Sequence, residues 1–587
     1  MMNFEFLPNE ILLDIFEYLN GIDLLRAFYG HNSHFNLLLY NQFQSYRFDL
    51  LSCSKHQFDI ICKQHLPFIS NRVTTLTLSD NEDTPGQINQ LFSYISSFRQ
   101  FIHLRSLSIL HIPSYYTLVK IADELHYLSN LTRLKLNICP FGNNQVNLQL
   151  VVNSIWSLPK LTYCYYSVRI DLKQTFTLPT KLSTSLKAVD ISAQMLKWNQ
   201  IYSLFECTPH LEYLDIFITP FDNNHYQSSP IPTLIKLNIA CYRMSDTSKM
   251  ISFLKNVPNL RHLKITMVFN LINGYQWEQI IRNYLPKLKI FNLNMYDQFP
   301  DDQNIEERAN ELINSFQSSF WINEYKWFVR CFICDKIIRL ETSSVIFYHF
   351  EKKFPNWWKS TFSHDNHLKF YHCMTSIDDN IVFDQSFLFD IFLQNMYSVC
   401  ITFPINNQFW SIVPSLKTLR SLRILSYTDT YQSQLQALLD RAPYLYRLDI
   451  RQELSLPLQI SLFKYNNASV RQLYLQKYNY QFNEKECDTL THSSLGVQCE
   501  ILSIKVKNRK SIIILVKNMI NLRALHIQCE DDEYSKYLSL IENVNESHQT
   551  NKTNKDKLIQ WLKDNLSSTY LISRDPKSIN CIRLWIR

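Results

Sequence analysis

A short phrase of alternating apolar and polar residues recurs along most of the chain. It reads apolar-x-x-apolar-x-apolar, as in HLRSLSI and NLTRLKL, and Pro or Asn often precedes it. From Leu104 to Leu288 the first apolar residues fall at 104, 131, 161, 186, 211, 234, 260 and 288, a step of 23 to 30 residues. A near-constant step of this size predicts stacked units with a shared core, because no single unit can bury its apolar face alone.

Each phrase predicts one strand with its apolar residues inward, and a helix is predicted between strands, for example over 121–128. In period and phrase the units resemble leucine-rich repeats, in which about 20–29 residues form one unit. They depart from the regular type because the asparagine ladder is mostly absent and the unit lengths vary. The resemblance implies an α/β solenoid with parallel strands on the concave face and helices outside. An ordinary α/β domain with parallel strands is the alternative.

The first fifty residues follow a different pattern, which predicts a pair of helices. Pro8 suits the first turn of a helix, and Asn20-Gly21 suits its end. Asp23 is predicted to be the N-cap of a second helix that begins at Leu24. The apolar residues of the first helix recur at i, i+1, i+4, i+5 and i+8, which predicts one shared face: Ile11, Leu12, Ile15, Phe16 and Leu19.

This N-terminal segment resembles the F-box. The likeness rests on a Leu-Pro-x-Glu-Ile-Leu opening, the Ile-Phe and Tyr-Leu pairs that follow, and Asp-Leu-Leu in the second helix. The third part departs from the family, with Phe35 in place of the usual tryptophan. The resemblance implies a three-helix module that docks on the Skp-type adaptor of cullin–RING ubiquitin ligases; a plain helical hairpin that caps the repeats is the alternative. The residues that match the family's adaptor contacts are Leu7, Pro8, Ile11, Leu12, Ile15, Phe16, Leu19 and Leu24.

The pattern divides the chain into four parts. An F-box-like module over 1–50 precedes a repeat array over 51–300. The phrase is lost over 301–404, where aromatic-rich, strand-like stretches indicate an enlarged repeat or an insertion. The array resumes over 405–587, with a polar segment near 543–557 that is predicted to be a mobile loop. The last residues, SINCIRLWIR, predict a final strand.

The polar positions inside each phrase are predicted to form the exposed face of the sheet. Basic residues outnumber acidic ones there, which favours a target protein with acidic or phosphorylated segments. Ordinary polarity of exposed strand positions is the alternative. The residues concerned are Arg133, Lys135, Tyr213, Asp215, Lys236, His262, Lys264, Arg447, Arg451, Lys505 and Lys507.

Composition and charge argue against several classes of protein. The six glycines among 587 residues are never clustered, which excludes the glycine-rich loops that hold phosphates in nucleotide-binding proteins. A net charge of +7 with no long basic block argues against nucleic-acid binding. The 14 scattered cysteines favour a reducing compartment, cytoplasmic or nuclear. Acidic residues interrupt the apolar N-terminus and no apolar run reaches about 18 residues, so neither a secretory signal nor a membrane span is predicted.

The sequence gives only weak signals for a metal site or a catalytic site. Cys331-x-x-Cys334 and His364-x-x-His367 have the residue types of a zinc site, but the cysteines fall in a predicted strand, where residues three apart point to opposite faces. The carboxylate pairs Asp301-Asp302 and Asp378-Asp379 read as solvated turn residues. We therefore expect no metal, no cofactor and no catalytic residue.

The resemblance implies the substrate-receptor subunit of a Skp–cullin–F-box type E3 ubiquitin ligase. The F-box would hold the ligase and the repeats would hold the target, so this chain would be non-catalytic. Two alternatives stay open. One is a repeat scaffold that binds partners outside any ligase, and the other is a metal-dependent or hydrolytic enzyme hidden within 301–404.

Overall fold

A computed structural model of the chain contains two compact units. The first comprises residues 1–345 with 356–362, and the second comprises residues 346–355 with 363–587. The predicted loop near 543–557 falls almost entirely outside the described residues. The structure describes residues 4–139, 147–168, 176–218, 229–243, 247–299, 304–334, 336–342, 357–362, 376–377, 393, 395–405, 407–427, 429–452, 464–475, 480–532, 556–576 and 578–586.

The first unit opens with three short helices, α1 (Asn9–Tyr18), α2 (Gly21–Phe28) and α3 (Ser33–Leu37). Here the expectation for Asp23 was wrong. Asn20 is the N-cap of α2, and Asp23 lies in the first turn, where its carboxylate pairs with Arg26 at 2.8 Å. Acidic residues are favourable in a first turn because the helix dipole is positive there, so Asp23 suits both positions and its type alone does not choose between them.

Aromatic rings join these helices to the first strand, β1 (Tyr46–Asp49). The ring of Phe16 in α1 lies 4.9 Å from Phe28 in α2 and 5.8 Å from Phe43, measured between centroids. Phe43 in turn lies 4.9 Å from Tyr46 in the strand. The helical module therefore shares one core with the first repeat.

Asn20 and Gly21 form a second contact between α2 and the edge of β1. The Asn20 side-chain amide donates to the carbonyl of Asp49 and accepts from its N–H, both at 3.1 Å. It thus takes the hydrogen bonds that a further strand would otherwise make. A Cβ atom on Gly21 would lie only 2.6 Å from the ring of Phe48, so this close approach requires glycine.

The described residues of the first unit form one 13-stranded sheet. The first ten strands follow in chain order, and each is parallel to its neighbours. The last three strands of the sheet, in the order β12, β11 and β13, are antiparallel to their neighbours. After β1 the strands are β2 (Val73–Ser79), β3 (Ser106–Ile112), β4 (Arg133–Ile138), β5 (Tyr163–Val168), β6 (Ala188–Leu196), β7 (Tyr213–Ile218), β8 (Lys236–Tyr242), β9 (His262–Val268), β10 (Ile290–Gln298), β11 (Val329–Cys334), β12 (Ile337–Thr342) and β13 (Trp357–Ser360).

Helices occupy most of the connections between these strands. The helix predicted over 121–128 is α7, which begins earlier and is followed by a 3-10 turn over Leu125–Tyr127. The described residues of 301–404 that belong to the first unit include α12 and the three antiparallel strands. The helices after α3 are α4 (Lys55–Ile60), α5 (Leu66–Ile69), α6 (Gln87–Tyr94), α7 (Tyr115–Glu124), α8 (Gln149–Trp156), α9 (Trp198–Cys207), α10 (Ser248–Lys255), α11 (Gly274–Tyr284) and α12 (Ile305–Asn314).

The apolar residues of the repeated phrase form the core of the first unit. In register across β3 to β10 they make a lateral row in which every side chain is at most 1% exposed. The repeat predicted from the sequence is thus confirmed as a parallel α/β stack. The row consists of Leu107, Leu134, Cys164, Val189, Leu214, Leu237, Leu263 and Phe291.

Two asparagines, in repeats that are far apart along the chain, donate hydrogen bonds to main-chain carbonyls at the amino edge of the first sheet. Asn130 donates to the carbonyl of Ile102 at 2.7 Å, and Asn259 donates to the carbonyl of Pro232 at 2.8 Å. In each case a lysine about 30 residues later donates to the asparagine oxygen at 2.7 Å: Lys160 to Asn130 and Lys287 to Asn259. The described structure therefore repeats one lysine–asparagine–carbonyl relay in two places.

The described residues of the second unit form a nine-stranded sheet. It is parallel from its first strand to β20, after which β22 and β21 follow in antiparallel pairing. The predicted final strand is confirmed as β22. The strands are β14 (Ser376–Ile377), β15 (Ser398–Ile401), β16 (Ser421–Tyr427), β17 (Arg447–Gln452), β18 (Gln472–Tyr474), β19 (Ile501–Val506), β20 (Ala524–Cys529), β21 (Leu571–Asp575) and β22 (Ser578–Trp585).

The second unit also has helices between its strands. Among the described residues of the whole chain, no helix combines the length and the apolar character needed to cross a membrane. The helices of this unit are α13 (Asn407–Ile412), α14 (Gln432–Arg441), α15 (Glu484–His492), α16 (Ser494–Val497), α17 (Arg509–Asn518) and α18 (Lys557–Asn565).

A partly buried arginine joins two distant positions of the second unit. The Arg574 guanidinium donates to Asp556 at 2.6 and 3.0 Å. It also donates to both oxygens of Asp532, one of them at 2.9 Å, and that carboxylate is only 2% exposed. Burial opposes ionisation of Asp556, but the Arg574 hydrogen bonds hold its pKa below the ordinary value.

Replacement of Gly21 tests the contact between α2 and β1. We expect Gly21→Ala to lower the stability of the first unit by about 1–3 kcal/mol, because the new methyl group overlaps the Phe48 ring. Thermal unfolding of the full chain measures the effect. The double variant Gly21→Ala/Phe48→Leu should recover part of the loss, and equal stability of Gly21→Ala and wild type would contradict this account.

Replacement of Arg574 tests the ion cluster of the second unit. Arg574→Ala leaves Asp532 and Asp556 without their cation, so we expect a loss of about 3–5 kcal/mol. Urea unfolding, with hydrogen exchange read in β21 and β22, measures it. Lys563→Ala, at an exposed position of α18, is the control and should change little. An equal response of the two variants would refute a special role for Arg574.

Candidate functional site

The predicted adaptor residues divide into two groups. The structure places Leu12, Phe16 and Leu24 in the core of the helical module with no exposed surface, so these three are not available to a partner. Consecutive helical residues are rotated by about 100°, so Ile11 and Leu12 point in different directions, and in α1 it is Leu12 that points into the core. The other five keep some exposed surface: Leu7, Pro8, Ile11, Ile15 and Leu19.

One exposed stripe of α1 is apolar, and it lies beside three exposed acidic side chains, Glu10, Asp14 and Glu17. Ile11 is 45% exposed, and Ile15 and Tyr18 follow at i+4 and i+7, which places the three on one stripe of the helix. Tyr18 is 87% exposed, and Phe6, just before the helix, is 85% exposed. We call Phe6, Ile11, Ile15 and Tyr18 the outward stripe. The sequence analysis missed Phe6 and Tyr18 as surface residues, although Tyr18 has the helical spacing from Ile11 that would have found it.

The face of the first sheet carries a row of polar side chains. Asp190 in β6 and Asp215 in β7 are directly opposite each other in the parallel register, where strands lie about 4.8 Å apart. The middle of the face is thus acidic, although basic residues outnumber acidic ones among the predicted positions. Across β4 to β9 the row consists of Lys135, Tyr165, Asp190, Asp215, Asn238 and Lys264.

Three of the predicted face residues lie in one cluster. The Tyr213 hydroxyl donates to Asp215 at 3.1 Å, and the Asn238 amide donates to Asp215 at 2.8 Å. The Lys236 ammonium lies 4.8 Å from the centre of the Tyr213 ring. Burial raises the pKa of Asp215, and neighbouring Asp190 adds to the rise, whereas the Asn238 hydrogen bond opposes it. Hydrogen bonds and partial burial therefore hold this cluster in a defined arrangement.

The second sheet presents a similar polar face. The Arg447 guanidinium lies 3.8 Å from the centre of the Tyr474 ring, a cation–π contact. Asp449, only 7% exposed, accepts from Arg423 at 3.1 Å and lies 3.7 Å from Arg451. The sequence analysis named Arg447 and Arg451 but not Asp449, Arg423 or Tyr474.

All the predicted face residues have exposed surface, and their role in target binding stays a prediction. Asp190, Asn238 and Asp449 also lie on the polar sheet faces, although the sequence analysis did not name them. An alignment of the repeated phrases would have found them, because they hold the position that Asp215 holds in its own phrase. The exposed predicted residues are Arg133, Lys135, Lys236 and Lys507, and those of intermediate exposure are Tyr213, Asp215, His262, Lys264, Arg447, Arg451 and Lys505.

A buried carboxyl group lies where the first sheet turns antiparallel. Glu341 in β12 has no exposed surface, and neither of its oxygens accepts a hydrogen bond within the described structure. The Nε atom of Arg339 lies 3.7 Å from the Glu341 carboxyl group, and Arg330 is opposite Glu341 in the strand register. Burial raises the pKa of Glu341 to about 7, although Arg339 and Arg330 oppose the rise. This group is therefore neutral in the folded protein at mildly acidic pH.

The candidate zinc ligands do not form a site among the described residues. Cys331 and Cys334 lie on β11 as the pattern predicted, with Cys331 fully buried. Burial raises the pKa of the Cys331 thiol to about 12, which disfavours the thiolate that binds metals or attacks substrates. His364 and His367 lie outside the described residues, as do both predicted carboxylate pairs. Within the described residues, no three His, Cys, Asp or Glu side chains are grouped as metal ligands.

Comparison with known proteins leaves the family open. No protein-family profile matches the chain, and no curated protein matches it. Among solved structures, one titled "Crystal structure of TLR13-ssRNA13 complex" is similar with 13% sequence identity and a TM-score of 0.25. The match covers 72% of this chain and 84% of that one. A likeness this low indicates nothing about the function of this chain.

Replacement of Glu341 tests the buried carboxyl group by its pH dependence. Its folded pKa exceeds the unfolded one, so wild-type stability should fall as pH rises from about 4.5 to 7, on the order of 3 kcal/mol in all. Glu341→Gln should gain stability over wild type at pH 8 and little at pH 4.5, as measured by thermal unfolding. Glu311→Gln, at an exposed position of α12, should show no such difference, and a pH-independent effect of Glu341→Gln would contradict the assignment.

Proposed function

We propose that this protein is the substrate-receptor subunit of a Skp–cullin–F-box type E3 ubiquitin ligase. The observation that supports it is the outward stripe, an apolar surface on α1 and just before it that remains exposed while Leu12 and Phe16 hold the helix to its own core. Exposed aromatic and aliphatic side chains on a helix are the usual anchors of a protein interface. Together with the resemblance to the F-box, they favour the Skp-type adaptor as the partner.

In this function the chain performs no chemistry itself. The helical module would bind the adaptor, and through it a cullin, while the sheet faces bind the target protein. Tethering raises the effective concentration of target lysines near the conjugating enzyme, to the millimolar range for short tethers. Neither a metal nor a cofactor is needed for such a role.

The polar sheet faces favour a protein target. The cluster around Tyr213 and Asp215 offers aromatic surface, a carboxylate and a lysine within a few ångströms, and the Arg447–Tyr474 pair offers a cation on an aromatic ring. Such mixed groups suit side-chain recognition on a partner protein. The flanking lysines and arginines favour acidic or phosphorylated segments in that target.

A pull-down with a Skp-type adaptor tests the proposal. We expect the variant Leu7→Ala/Ile11→Ala/Ile15→Ala to lose most adaptor binding, by about 2–4 kcal/mol, because its three side chains are apolar and partly exposed. It should keep wild-type stability, whereas Phe16→Ala should lose about 3–5 kcal/mol of stability.

The matched control removes exposed apolar side chains elsewhere in the first unit. Ile102→Ala/Leu150→Ala/Leu182→Ala alters residues that are 49%, 63% and 61% exposed and should retain the adaptor. Equal retention by the α1 variant and the control would refute the adaptor interface. Co-purification of wild type with a partner but never with a cullin would instead favour the second candidate, a repeat scaffold that acts without a ligase.

A further inference from the structure

A cavity of about 430 Å³ lies at the amino edge of the first sheet. Its walls come from residues that immediately precede β6, β7, β8 and β9 and from the connection before β10. Its volume falls within the range of ligand pockets, about 300–1,000 Å³. The residues that define its chemistry are Lys187, His210, Glu212, Asn259, Arg261 and Lys287.

Cations outnumber anions around the cavity. Lys187, Arg261 and Lys287 supply three positive charges, and Glu212 supplies the one carboxylate among the lining residues. Glu212 is matched by Lys187, whose ammonium lies 3.1 Å from the carboxylate. Arg261 and Lys287 therefore carry two positive charges that no carboxylate among the lining residues neutralises. The imidazole of His210 can donate a further hydrogen bond.

Lys287 and Arg261 differ in the hydrogen bonds that they make within the protein. The Lys287 ammonium donates to Asn259 at 2.7 Å, in the relay that also occurs at Lys160 and Asn130. An ammonium group has three donors, so two stay available to a ligand. Arg261 is exposed, and its guanidinium contacts no carboxylate or other hydrogen-bond acceptor in the described structure. Its planar set of donors matches the oxygens of a phosphate group.

We propose that this cavity binds a phosphate monoester group, with Arg261 and Lys287 as its main ligands and Lys187 and His210 at its rim. The doubly charged phosphate neutralises the two cations that no carboxylate matches. The cavity has room for the phosphate together with the residue that carries it. A phosphorylated side chain of a partner and free inorganic phosphate supply the same chemistry. The site does not depend on adaptor binding.

Fluorescence anisotropy with the purified full-length chain tests the inference. The probes are two labelled peptides of one neutral sequence, with serine or phosphoserine at the centre, and inorganic phosphate is the competitor. We expect the phosphopeptide to bind at least about ten-fold more tightly than its unphosphorylated form, with weaker binding at higher salt. Competition by inorganic phosphate only at much higher concentration than unlabelled phosphopeptide would identify a phosphorylated partner as the source, and competition at similar concentration would identify the free ion.

The decisive variants exploit the repeat. Arg261→Ala/Lys287→Ala should lose about ten-fold or more in phosphopeptide affinity while keeping its fold and adaptor binding. Arg105→Ala/Lys160→Ala is the matched control, because Arg105 precedes β3 as Arg261 precedes β9, and Lys160 contacts Asn130 as Lys287 contacts Asn259. It makes the same charge change outside the cavity and should bind as wild type. Equal binding of both peptides, unchanged affinity in the cavity variant, or an equal loss in the control would overturn the inference.

Discussion

Lateral contact between apolar side chains of successive parallel strands supports the rest of this structure. Leu134 in β4, Leu214 in β7 and Leu263 in β9 hold equivalent positions, and each is at most 1% exposed. Full burial of such a side chain contributes about 1.5–3 kcal/mol, but only when neighbouring units supply the covering surface. A single unit would leave its row open to water, so the units are stable as a stack and not alone.

A stack of parallel strands leaves a free edge at each end, and free edges invite pairing with other chains. In the first unit, the Asn20 amide occupies the backbone groups of Asp49 at one edge, and the aromatic core around Phe16 covers the same strand. At the other end, β12, β11 and β13 turn antiparallel. The second unit also ends in antiparallel strands, β22 and β21, and Arg574 fastens that end through Asp532 and Asp556.

The same burial constraint bears on the proposed function. Because Leu12 and Phe16 pack inward against the first repeat, α1 is part of the first unit and its outward stripe is held in a fixed position on it. An adaptor bound to Ile11 and Ile15 would therefore be held rigidly relative to the first sheet. Such rigidity would help a receptor to present its target in a constant orientation.

The repeated phrase predicts the strands of the array, because it records which residues must be buried in every unit. It therefore predicts β6, β7 and β8 as parallel neighbours in a stack, and it predicts that Tyr213 and Lys236 face outward. The local pattern could not separate Ile11 from Leu12, since both are apolar and only the packing of α1 on Phe28 and Phe43 decides which one is covered.

Contacts between residues far apart along the chain follow from the folding of the whole unit and cannot be predicted from the phrase. Asn238 reaches Asp215 because two strands align in register, and Lys187, Arg261 and Lys287 surround one cavity although 74 and 26 residues separate them along the chain. Burial is a property of one position, and it can be predicted from the sequence because a buried position is usually apolar. Lateral proximity is a property of two positions, set by the packing of everything between them, and a single sequence carries no local signal for it.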